Sequence, residues 1–237
     1  MGLIKKNNIL KFSTPNNNII PDIKPAKKHI PEWYKDIKGF NNGNIEFDQS
    51  NFVKKNVKSC VPFLDSLTSG YILELWCDIH VKIVDKDGRH YVTWGTADPV
   101  PVQVRDESNN NIPIPIGCEP SHYIWTIPHS IKTPPGYSFL ATHPFNRHDL
   151  PFVTLTGIVD AEKTIGPGNY PFFLKDGFEG VIEKGTPILQ ILPFKRENWL
   201  VEKDELVSKE GDTTSKSTAN VFFGYYKKNM WEKKSYD

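Results

Sequence analysis

No stretch of this chain approaches 18 consecutive apolar residues, so no membrane-crossing helix is expected. The opening MGLIKKNNILKF has no apolar h-region, and no secretory leader is expected. Neither sign of charge dominates. There are 29 basic and 28 acidic residues, for a net charge of +1, which argues against a surface that coats nucleic acid. Cysteine is scarce: Cys60, Cys77 and Cys118 are an odd set without CxxC spacing. They are expected as reduced, buried thiols in a cytosolic setting, not as disulfides or metal ligands. There is no P-loop, no Gly-x-Gly-x-x-Gly and no Gly-x-Ser-x-Gly elbow, which removes the readable nucleotide-loop and serine-hydrolase classes. His143 and Asp149 are too far apart for the His-x-Asp pair of non-haem iron oxygenases. No internal repeat or low-complexity tract is present.

Proline and aromatic residues are abundant, with 19 prolines and 12% aromatics. Short runs of β-formers between turn residues suit a mainly all-β protein better than a helical bundle. The 237 residues suffice for one large domain with arms. The abundance of Asn, Lys and Ile fits an AT-rich genome such as many phages have. Three segments are expected: an extended N-terminal arm over 1–38, a single β domain over 39–200 with its core at 133–197, and a charged linker with an amphipathic tail over 201–237. Pro15, Pro21, Pro25 and Pro31 exclude a continuous helix from the arm. The arm is too polar to order itself and is expected to lie on its own domain or on a neighbour. Pro31 can open one helical turn, with Trp33, Tyr34 and Ile37 on its apolar face. In the tail, Phe222, Tyr225, Tyr226, Met230 and Trp231 can form one stripe of a short C-terminal helix.

The strongest strand signal is Tyr71–Val84, preceded by a turn over Ser66–Gly70. Leu73, Leu75, Cys77, Ile79 and Val81 alternate with Glu74, Trp76, Asp78, His80 and Lys82. Asp87-Gly88 marks a hairpin, with Tyr91–Trp94 as the returning strand. His80 and His90 can meet across it, a weak metal pair without a third ligand. Asp106–Asn111 reads as a polar loop tip.

The densest information lies in 133–197. Pro134-Pro135-Gly136-Tyr137 precedes an apolar run, Gly157-Ile158-Val159-Asp160-Ala161 follows, and Glu183-Lys184-Gly185-Thr186-Pro187-Ile188-Leu189-Gln190-Ile191 closes the stretch. Gly136 and Gly157 are each expected to occupy a tight turn or a close backbone approach. His143, Arg147, His148 and Asp149 make the densest polar cluster, read either as an ordered structural loop or as a ligand site.

In order and spacing, these three phrases resemble the β-clip core of the dUTPase and dCTP-deaminase superfamily. The resemblance implies a distorted-barrel or jelly-roll-like core and a trimer, with ends exchanged between subunits. It matches Asp160 to the aspartate that activates water and Gln190 to the glutamine of the family's Gly-Asp-Arg-Ile-Ala-Gln phrase. It also marks departures. Gly70-Tyr71-Ile72-Leu73 carries Ile72 where the family has a carboxylate. Thr142-His143-Pro144-Phe145-Asn146-Arg147 replaces a phosphate-contacting Arg-Ser-Ser, and Lys163 stands near the place of the tyrosine that packs on the deoxyribose. The Gly-rich closing tail is missing.

The expectation is therefore a non-hydrolytic protein that works by binding or assembly, as a phage-like structural component or a ligand-sequestering protein. The alternatives are a divergent nucleotide enzyme of dUTPase or deaminase type and a small-molecule-binding jelly roll with metal at His residues. Asp160 is the candidate catalytic residue if the chain is an enzyme. His143, Asn146, Arg147, Asp149 and Gln190 are the candidate ligand-binding residues. No cofactor is expected, with Mg²⁺ entering only for the enzyme. The expected partner is a further copy of the chain or a larger assembly, located in the host cytoplasm or in a virion.

Overall fold

The computed structural model describes residues 8–15, 19–39, 44–49, 54, 56–84, 90–94, 98–105, 112–163, 166–220 and 225–237. The hairpin tip at Asp87-Gly88, the polar tip Asp106–Asn111 and Phe222 lie outside them. The chain divides into two compact units, residues 1–29 with 70–196, and residues 30–69 with 197–237. The expected arm is shared between them.

The first unit is built of antiparallel strands. Strands β1 (Lys11–Ser13) and β8 (Ser130–Lys132) pair with each other. One four-stranded sheet runs β10 (Phe152–Thr154), β12 (Gly168–Lys175), β7 (Cys118–Ile127) and β6 (Val102–Val104). A five-stranded sheet runs β11 (Gly157–Val159), β9 (Tyr137–Thr142), β14 (Pro187–Lys195), β3 (Tyr71–Glu74) and β2 (Lys24–Pro25). A three-stranded sheet runs β13 (Gly180–Ile182), β4 (Ile79–Ile83) and β5 (His90–Trp94). The all-β expectation holds for this unit.

Period-2 alternation builds the core. Tyr123, Trp125 and Ile127 of β7 are buried on one face and meet Phe172 and Phe152. The Trp125 and Phe172 rings stack at 3.7 Å and 7°, and Phe152 meets Trp125 edge-on at 5.1 Å. The Trp125 Nε1–H donates to Thr154 Oγ1 (3.1 Å), whose hydroxyl donates to the Ile188 carbonyl (2.9 Å), so the indole is satisfied while two sheets are tied together. From β9 and β14, Phe139, Ala141, Leu189 and Ile191 enter the same core.

The expected Tyr71–Val84 strand breaks. β3 ends at Glu74 and β4 begins at Ile79 in a different sheet. Leu75 N–H donates to the Thr186 carbonyl, the Leu75 carbonyl accepts from Gly185 N–H, and Asp78 Oδ1 accepts from Lys184 N–H at 2.7 Å. The break also turns Trp76 inward, against the expected outward position; it is buried and its indole donates to the Pro99 carbonyl at 3.1 Å. The arm is more ordered than its composition suggests. Ile20, Ile23 and Ala26 are buried in this unit, and β1 and β2 add to its sheets. Gly136 has φ +80° in a turn closed by Tyr137 N–H on the Pro134 carbonyl. Gly157 lies in β11 with open space around it, so no close approach requires it there.

The second unit is helical in its described residues. The expected turn at Pro31 is α1 (Glu32–Asp36), whose Tyr34 stacks on Phe63 at 5.8 Å. Lys58 Nζ lies 4.5 Å over the Tyr34 ring and donates to the Tyr34 carbonyl at 2.7 Å. Where a turn was expected at 66–70, α2 (Val61–Thr68) runs with proline in its first turn. The charged linker, readable as a short helix or a solvated loop, forms the helix α3 (Glu205–Asn220), and the expected C-terminal helix is the short α4 (Tyr225–Asn229). Trp231 Nε1–H and Lys234 Nζ both donate to Asp65 Oδ2, at 2.8 and 2.7 Å, which fixes the tail on α2. All three thiols are unpaired; Cys118 is buried as expected, whereas Cys77 is half-buried and Cys60 exposed. Among the described residues no helix is long and apolar enough to cross a membrane.

Candidate functional site

The sequence-predicted residues fall into two polar clusters on one face of the five-stranded sheet. On β9, Ser138, Leu140 and Thr142 alternate onto that face, as do Gln190, Leu192 and Phe194 on β14. Ser138 and Thr142 are four residues apart, roughly 13 Å along the strand.

The first cluster is the 143–150 loop, which follows β9. One cross-strand row holds Thr142, Gln190, Ile72 and Lys24. Gln190 is buried, and its Oε1 accepts the Phe145 N–H at 2.8 Å. His143 lies 3.0 Å through Nε2 from the Arg147 carbonyl, which can only accept, so the ring proton is on Nε2. Nδ1 then accepts from Thr154 N–H at 3.3 Å. Both nitrogens are engaged, and burial holds the imidazole below its ordinary pKa, against the bond to the Arg147 carbonyl. Asn146 sits at φ +58°, a left-handed position that asparagine tolerates. The Arg147 guanidinium clasps Asp149 with two parallel bonds, Nε to Oδ1 at 2.9 Å and Nη2 to Oδ2 at 2.8 Å.

Three residues that the sequence reading did not place at a site complete this region. Glu74 takes Lys24 Nζ at 2.6 Å and lies 3.4 Å from His29 Nε2, an approach without hydrogen-bond geometry. Burial lowers the His29 pKa; Glu74 opposes this, while Lys24, Arg147 and Lys28 add to it. Nothing in the local sequence of the arm marks Lys24 or His29 as neighbours of Glu74, because only the pairing of β2 with β3 brings them there.

The second cluster surrounds Asp160, at the end of β11. The Ser138 hydroxyl is fully buried and donates to Asp160 Oδ1 at 2.5 Å. Arg196 bridges two carboxylates, with Nη1 3.3 Å from Asp160 Oδ1 and Nη2 2.7 Å from Glu162 Oε2. The Gly136 N–H also donates to Glu162 Oε2, at 2.5 Å. The Ser138 bond, then Arg196, hold Asp160 below the usual carboxylate range; Arg196 and the Gly136 N–H do the same for Glu162. Ser138, Glu162 and Arg196 escaped the sequence reading, although Arg196 stands directly after β14.

The two clusters are separate, so His143, Arg147 and Asp160 do not converge on one pocket. Positions 80 and 90 are not cross-strand partners. His80 pairs with Thr93 and residue 90 with Ile83, three rungs away and on the other pleat. Among the described residues no three His, Cys, Asp or Glu side chains come together as a cation site. Compared with known proteins, the chain matches no family model and has no significant match among curated proteins.

Proposed function

We propose that this chain is a non-hydrolytic β-clip protein that works by binding or assembly. The carrying observation is that Asp160, the residue aligned with the family's water-activating aspartate, is tied to Ser138 and Arg196. A general base works best with a pKa near the operating pH. Asp160 is pushed the other way, which supports a structural role at the end of β11.

The rest of the candidate machinery supports the same reading. Transfer from a triphosphate needs positive charge along the phosphates. Arg147 is clasped by Asp149, and Arg196 is divided between Asp160 and Glu162. Ile72, at the position of a family carboxylate, is buried beside Gln190, whose oxygen holds the 143–150 loop. His143, Asn146, Arg147, Asp149 and Gln190 thus serve first to order a loop.

One observation favours the enzyme alternative. The Asp160 side chain is 68% exposed, so a solvent molecule or a ligand can reach it. Under that reading a nucleoside triphosphate with Mg²⁺ would bind at this end of the sheet. Incubation with dUTP and dCTP separates the two readings by whether product forms.

A further inference from the structure

Three consecutive apolar residues, Trp199, Leu200 and Val201, are exposed at 82%, 97% and 102%. They precede α3, whose described side chains, residues 205–214, are all exposed, Leu206 and Val207 among them. Single exposed apolar residues are ordinary, whereas a contiguous set marks an interaction surface. The helix also lacks intrinsic support. Gly211, Thr213 and Thr214 are weak helix formers, and a helix whose described side chains, 205–214, find no packing partner draws little support from that stretch.

The unit of residues 1–29 and 70–196 carries a groove that suits this segment. It is an open groove of about 280 Å³, lined by Pro15, Pro99, Pro128 and Pro167, with Val100 and Asn169. An apolar cavity of roughly 150 Å³ takes a benzene ring, so this groove has room for an indole. Proline rings against an aromatic face are the chemistry by which proline-rich peptides are recognised, here with the roles reversed. An aromatic side chain buries roughly 150–250 Å², and Leu200, Val201, Leu206 and Val207 add to it. Together they approach the scale of a standard interface, about 800 Å² per partner.

We propose that Trp199–Val201 of one copy seats in the proline-lined groove of a second copy, with the Trp199 indole as anchor. This rests on the assembly reading and specifies its surface. Segment and groove are different patches, so the contact is heterologous, and copies add head to tail into a closed ring or an open filament.

The test is light scattering of the full chain across a concentration series, with Trp199→Asp and Leu200→Asp in the segment and Val100→Asp in the groove. Melting curves accompany each variant; the segment residues are exposed, so their variants keep the fold. The expected result is an oligomer that each substitution weakens at least tenfold. A mixture of Trp199→Asp with Val100→Asp retains one intact pairing and forms a capped dimer. An oligomer indifferent to the segment variants overturns this surface and leaves the assembly reading standing. A monomer at every concentration, including one whose segment folds onto its own groove, overturns both.

Discussion

Replacing Gly70 with alanine adds one methyl group where the backbone leaves no room. Gly70 has φ +73°, and a Cβ there would lie 2.1 Å from the Ile191 carbonyl oxygen and 3.1 Å from its carbon. Both are backbone atoms of β14, which pairs with β3 from the next residue onward. Relief therefore requires the two strands to part. The Gly70 carbonyl also accepts the Ala26 N–H at 3.0 Å, so the arm shares the disturbance. The left-handed conformation costs an L-residue roughly 1–2 kcal/mol, and overpacking a tight site roughly 1–3 kcal/mol. The sum, about 2–5 kcal/mol, corresponds to a fall in Tm of roughly 5–15 °C for a chain of this size. Two controls fix the interpretation. Gly136 has φ +80° but open space, so Gly136→Ala should lose only the conformational part, about 2–6 °C. Gly157 lies in a strand with open space, so Gly157→Val should leave Tm unchanged or raise it. Thermal melts followed by circular dichroism read all three. If Gly70→Ala melts within about 2 °C of the parent chain, the reasoning on the β3–β14 approach is refuted.

Three further outcomes are expected. His29, His122, His129 and His143 are all held below their ordinary pKa, in each case chiefly by burial. The unfolded chain then binds more protons below about pH 6.5, so stability is full above that pH and falls on acidification, by at most about 1.4 kcal/mol per pH unit for each histidine. Urea titrations from pH 8 to pH 5 check this, and stability that rises toward pH 5 contradicts it. Gln190→Ala leaves the Phe145 N–H without its acceptor, for a loss of about 1–3 kcal/mol. Amide exchange in 143–150 should accelerate; unchanged exchange would mean that Gln190 does not hold the loop. Arg196→Met should lower Tm and raise the apparent pKa of Asp160 and Glu162 toward ordinary carboxylate values, read by NMR titration. Unmoved titrations would show that the bridge is not formed in solution.

The β class was legible because alternation is a local signal that burial obeys in Ile79–Lys82, where Ile79 and Val81 are buried and His80 and Lys82 exposed. The Pro134–Tyr137 turn was legible for the same reason, since proline and glycine dictate its backbone. The break between Glu74 and Ile79 was not. Alternation continues through it, and nothing local says that one half pairs with β14 and the other with β5 and β13. The register of β4 on β5 likewise decides that His80 faces Thr93, a matter of one or two residues that sequence cannot set without its turn. At the candidate site, Asp160 and Gln190 could be picked from phrases, but their partners could not. Ser138, Glu162 and Arg196 come from three separate segments, and the ordered arm contributes Lys24 and His29. Ile20 and Ile23 show how the arm comes to lie on its own unit, since two well-placed apolar residues anchor a segment whose average composition is polar.

The central claim is tested most directly by turnover on nucleotides. The purified full chain is incubated with dUTP and with dCTP in the presence of Mg²⁺, beside Asp160→Asn, and product is followed by chromatography. The account predicts no product above the uncatalysed background with either protein, because the Asp160 carboxylate is engaged by Ser138 and Arg196. Turnover on the order of 1 s⁻¹, within the usual enzyme range, that disappears in Asp160→Asn would contradict it.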